Sequence, residues 1–101
     1  MSPKATLIIH DKQVDEHGNT TEIRLWRVPV DDERKHGIKY SLVYISQGQR
    51  IVGYDNERGK GDHKHIEGIE LSYRFTDLRK LKVDFLDDVA QWKGKNYGNQ
   101  G

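Results

Sequence analysis

His63 and His65 close a run, Gly53-Tyr54-Asp55-Asn56-Glu57-Arg58-Gly59-Lys60-Gly61-Asp62-His63-Lys64-His65, that also holds two aspartates, an asparagine and several basic residues between glycine joints. Imidazole titrates near neutral pH, so one copy can take a proton while the other gives one up. Metal-free cleavage of an RNA phosphodiester calls for such a pair. It needs a base for the 2′-hydroxyl, an acid for the leaving oxygen and a cation for the charge that builds on the phosphoryl group. His63 and His65 fit the first two roles and Lys60 or Arg58 the third, with Asp62 in support. Gly59 and Gly61 permit close approach of backbone N–H groups to phosphate. The same atoms allow a second chemistry, in which His63, His65, Asp62 and Asp55 hold a divalent metal that activates water. Spacing alone does not choose between them, because an H-x-H pair on a strand is common. The bland reading is a solvated hairpin loop whose charges pair locally. The density of functional groups between two strands weighs toward a site.

The flanking elements must hold that run in place. Strand alternation sends His63 and His65 to one face and Lys64 and Ile66 to the other, so a core-facing Ile66 leaves both imidazoles outward. Ala5 to His10 and Thr20 to Val28 read as strands around the turn-forming Asp15-Glu16-His17-Gly18-Asn19, with Pro29 closing the second. Val30 to Gly37 is a charge-rich linker. Ile38 to Ile45 alternates cleanly, and Gln47-Gly48 separates it from Arg50-Ile51-Val52 as a second hairpin. His65-Ile66 and Leu71 to Phe75 are extended again, with Gly68 marking a turn or bulge. From Thr76 the period changes. Leu78, Leu81, Phe85, Val89 and Trp92 share one helical face, with Thr76 or Asp77 as N-cap and an end near Trp92 or Lys93. The prediction is an α+β fold: a mostly antiparallel meander of four to six strands with one C-terminal amphipathic helix packed on one face. Residues 1–93 form the single domain, and 94–101, rich in Gly and Asn, form a flexible tail.

Composition sets the outer limits. A chain of 101 residues is one domain with a modest core. Its 17 Lys+Arg against 16 Asp+Glu leave a net charge of +1, so attraction to nucleic acid must come from local clusters. The absence of cysteine excludes disulfides and thiolate metal sites. The apolar run after Met1-Ser2-Pro3-Lys4 is too short for a secretory or membrane segment, and the expectation is a cytoplasmic protein that binds no membrane. Arg79, Lys80 and Lys82 stand in the first turns of the helix, where the macrodipole disfavours cations by about 0.3–1 kcal/mol each. A phosphate backbone or an acidic partner would offset this, and a solvated polar face partly balanced by Asp77 is the plain alternative. Most of Tyr40, Tyr44, Tyr54, Tyr73 and Trp26 are expected to pack on the sheet, although aromatics can stack bases.

The run from Val52 to Asn56 and from Gly59 to His65, followed by Tyr73-Arg74-Phe75 and the Asp84-Phe85 to Asp88-Val89 helix, resembles the TumE toxin family. Arg24 to Pro29 and Tyr40 to Tyr44 fit it as well, so the likeness spans nearly the whole domain. It implies a small toxin of a prokaryotic toxin–antitoxin pair, with a cognate antitoxin of DNA-binding helix-turn-helix type as partner. By analogy with other small toxins, RNA is the expected substrate and endoribonuclease the expected activity. His63, His65, Lys60 and Asp62 are then the catalytic candidates, with Arg58, Asp55, Asn56, Tyr54, Arg79, Lys80 and Lys82 binding substrate. No cofactor is expected. The alternatives are a metal-dependent nuclease and a non-catalytic module that grips nucleic acid or protein.

Overall fold

The computed structural model describes residues 5–32, 34–56 and 61–98. Six strands follow one another as a meander: β1 (Thr6–Val14), β2 (Thr20–Arg27), β3 (Ile38–Ser46), β4 (Gln49–Asp55), β5 (His63–Ile66) and β6 (Ile69–Ser72). Each pairs antiparallel with the next, in the spatial order β1-β2-β3-β4-β5-β6. The helix α1 (Leu78–Tyr97) follows and packs on the sheet, giving the α+β architecture that the alternation and the later change of period predict.

Two turns set the register of the β3–β4 and β5–β6 pairs. Gln47 and Gly48 both have positive φ, as do Glu67 and Gly68. Two-residue turns of that kind match the right-handed twist of a hairpin, so each joins its strands with no slack. Gly68 is therefore a turn residue, and β6 begins at Ile69 rather than at Leu71. Tyr73 and Phe75 lie beyond it and pack against the edge of the core.

Alternation decides which face is buried. Tyr40, Leu42 and Tyr44 of β3, with Leu25, Val52 and Tyr54 from its neighbours, meet Leu81, Phe85 and Val89 of α1. Ile66 joins this core from the side, as the outward placement of the histidines requires. The buried phenols find acceptors on the helix or in the loops. Tyr54 donates to Asp88, which also receives Lys64 Nζ at 3.2 Å, and Tyr73 donates to Asp84 at 2.7 Å. Lys64 thus faces the helix side, opposite the histidines.

Asp77 is the N-cap, its carboxylate accepting the Lys80 N–H at 2.8 Å. The helix continues past the expected end near Lys93 to Tyr97, where Gly98 closes it. Tertiary contacts explain the extension. Lys93 reaches Asp15 at 3.2 Å, the Tyr97 hydroxyl accepts Asn19 Nδ2 at 2.8 Å, and the His17 and Tyr97 rings stack at 3.6 Å. The β1–β2 turn thereby clamps the last helical turn.

That clamp gives two expected outcomes. Gly94 lies inside α1 with open space where a Cβ would stand. Gly94→Ala should raise stability by about 0.5–1 kcal/mol in denaturant unfolding, because alanine loses less backbone entropy in a helix. Burial acts to raise the Asp15 carboxyl, but hydrogen bonds from Tyr44, Asn19, Lys93 and His17 outweigh it and hold the group at about 2. The unfolded chain takes up this proton first, so the stabilisation is complete above the ordinary value of 3.8 and fades as pH falls toward about 2. Asp15→Asn should cost on the order of 1 kcal/mol at pH 7 and flatten the loss between pH 4 and pH 2, measured by urea titrations across that range.

Candidate functional site

One helix covers only one face of the sheet, and the candidate site lies on the other. The β4–β5 ladder sets Asp55 opposite His63 and Gly53 opposite His65, and the β5–β6 ladder continues those rows to Ser72 and Glu70. Side chains directly across a ladder on one face are neighbours. Asp55, His63, His65 and Glu70 therefore gather at one end of the face turned away from α1.

The distances are short. His63 Nε2 lies 2.7 Å from Asp55 Oδ1 and 3.9 Å from Glu70 Oε1, and His65 Nε2 lies 3.6 Å from the same Glu70 oxygen. The two imidazoles meet edge to face at 5.0 Å between ring centres. His63 is 7% exposed, whereas Glu70 stands at the open rim. The other ring nitrogen of His63, Nδ1, faces the Gly61 carbonyl at 3.1 Å, which fixes the ring orientation. Asp55 Oδ1 is closed off from solvent and takes no aligned hydrogen bond among the described residues. A cavity of about 330 Å³, lined by Asp62, His63, Glu70, Leu71 and Ser72, opens beside the cluster.

A cation from β4 completes the surroundings. A bulge between the Tyr44 and Ile45 pairings sets Arg50 opposite Ile45, while Val43 opposes Gly53. Plain alternation would align Arg50 with Val52 and Tyr54, under the helix; the extra residue moves it to the face of Gly53 and Asp55. Its stem crosses Gly53 so closely that a Cβ there would stand 2.8 Å from Arg50 Cδ. His65 titrates below the usual imidazole value. Burial is the largest cause, followed by the Arg50 charge and by His63. His65 is thereby biased toward its neutral form, with a lone pair to offer.

The other expected site residues divide by position. Asp62 lines the cavity, but its carboxylate accepts the Tyr40 hydroxyl at 2.8 Å and lies 3.9 Å from His36 Nε2, so Asp55 rather than Asp62 is the carboxylate against the histidines. Tyr54 is fully buried under the helix. Asn56 closes the start of β3, accepting the Tyr40 N–H at 3.0 Å and donating to the Ile38 carbonyl at 2.7 Å. Both are framework residues without an open surface for substrate. Arg79, Lys80 and Lys82 are exposed on α1, across the sheet from the histidines, and Lys80 pairs with Asp84 at 2.8 Å. Arg79 and Lys82 instead border a separate apolar groove with Ile9, Ile23 and Leu25. Arg58 and Lys60 lie outside the described residues.

Glu70 and Arg50 were not among the sequence candidates. The two-residue turn at Glu67-Gly68 carries enough register information to find Glu70 opposite His65. Arg50 depends on a bulge that no residue type announces.

Among the described residues, no helix is long and apolar enough to cross a membrane. No curated protein and no solved structure matches the chain. A family model described as "Toxin TumE" matches residues 4–93, which include every strand, the cluster and most of α1. The chain belongs to the TumE toxin family.

Proposed function

We propose that this toxin acts on RNA as a small endoribonuclease whose working centre is the Asp55, His63 and His65 cluster. The observation that carries the reading is the gathering of three proton- or metal-binding groups on the face of the sheet turned away from the helix, with Arg50 beside them. In RNA the 2′-oxygen loses its proton and attacks phosphorus, and the bond to the 5′-oxygen breaks as that oxygen gains a proton. The imidazoles, or a cation that they hold, meet the proton requirements, while Arg50 faces the charge that builds on the phosphoryl oxygens. A neutral His65 suits either route. Family membership supports a cognate antitoxin as partner, and we infer one of helix-turn-helix type, with both acting in the cytoplasm.

Purified protein incubated with mixed RNA is expected to cleave it. His65→Ala should lower the rate by at least about 100-fold, and Arg50→Ala should lower it by about 10- to 100-fold, with folding checked by circular dichroism. Expression should arrest growth in the wild type and not in His65→Ala, and co-expression of an adjacent helix-turn-helix protein should relieve the arrest. Salt-sensitive RNA binding with no cleavage under any divalent cation would overturn the enzyme reading in favour of a binding module.

A further inference from the structure

We propose that Asp55, His63 and His65, with Glu70 at the rim, form a binding site for a divalent transition-metal cation of the manganese or zinc kind. One ligand atom from each of the first three residues lies within 4.8 Å of the others. Ligands of one ion at bonds of about 2.1 Å stand roughly 3 Å apart when adjacent and roughly 4.2 Å apart when opposed. His63 Nε2 and Asp55 Oδ1 stand 2.7 Å apart, slightly closer than adjacent ligands, and all three ligand atoms lie within 4.8 Å, so closing on an ion takes small side-chain adjustments.

Two further features point to a cation. Asp55 Oδ1 is closed off from solvent and lies 2.7 Å from His63 Nε2, yet no aligned hydrogen bond joins them. At 2.7 Å an imidazole nitrogen and a carboxylate oxygen need a positive centre between them, a proton in the ion pair or a metal ion in its place, and both atoms are ligands that such an ion accepts. His63 also directs Nδ1 at the Gly61 carbonyl, the second-layer contact that fixes the tautomer of a metal-bound histidine and leaves Nε2 to coordinate. Gly61, which presents this carbonyl, takes φ +70. Glu70 Oε1, 3.9 Å and 3.6 Å from the two Nε2 atoms, stands where a further ligand or a hydrogen-bond partner for bound water would stand.

The donor set selects the metal class. Mixed imidazole and carboxylate ligands suit first-row transition cations, whereas Mg²⁺ and Ca²⁺ favour all-oxygen shells. A bound ion would lower the pKa of its water and place positive charge beside the scissile phosphate. That role in cleavage rests on the endoribonuclease reading; binding of the ion does not.

The test begins with protein stripped by EDTA and titrated with Co²⁺, a coloured stand-in for zinc, and with Mn²⁺ followed by electron paramagnetic resonance. Saturable 1:1 binding with visible Co²⁺ bands and a raised melting temperature is expected. Asp55→Asn and His65→Ala should each weaken affinity at least about 10-fold, while Mg²⁺ should compete poorly. His63 is buried, so His63→Ala is avoided in favour of these two variants. No saturable binding, or binding that neither variant weakens, would overturn the site. Metal binding without RNA cleavage would overturn the endoribonuclease reading and leave the site standing. Full-rate cleavage in EDTA without binding would do the reverse.

Discussion

A six-stranded sheet with a single helix can bury only one of its faces, and the arrangement of this toxin follows from which residues each strand sends there. Antiparallel pairing of β4 with β5 carries that choice into the candidate centre. Once Val52, Tyr54 and Ile66 are committed to the core, Asp55, His63 and His65 emerge on the opposite side with no freedom to slip. A shift of one residue would exchange the two sets, burying imidazoles beneath α1 and exposing Ile66, so the core enforces the register of the site.

Lys64 shows how tightly the two faces are coupled. It stands between the two histidines in sequence and is taken by the helix, where its ammonium meets Asp88 and the Tyr54 hydroxyl. Its contact with Asp88 is a half-buried ion pair, and such pairs stabilise little beyond the cost of desolvating them. Its position contributes more than its energy. It ties β5 to α1 and leaves the neighbouring imidazoles no alternative face. Tyr54 and Tyr73, whose hydroxyls titrate well above the usual phenol value chiefly because of burial, stay protonated and donate to the Asp88 and Asp84 carboxylates along the same seam.

Much of this was legible in the residues. Alternation in Ile38 to Ile45 and the change of period after Thr76 disclosed the sheet and its helix, and Ile66 disclosed the direction of the histidines. What escaped was set by tertiary contact. Asp62 is next to His63 in sequence, yet the Tyr40 phenol draws its carboxylate away, while Asp55, eight positions before His63, becomes the neighbour through the ladder. Tyr54 and Asn56 sit in the family-like run for structural reasons, one filling the core and the other satisfying the backbone of β3. The last turn of α1 is held by the β1–β2 turn, far from Tyr97 in the chain, and only Gly98 marks that end locally.

The meander has a consequence for how the molecule assembles. Every strand pairs with its sequence neighbour, and topologies of this kind search less conformational space than those built on distant pairings. All the residues of the proposed metal centre, and Arg50 beside them, fall between Arg50 and Glu70. In kinetic terms the centre is a product of contacts close in sequence, and docking of α1 on Val52, Tyr54 and Ile66 fixes its geometry.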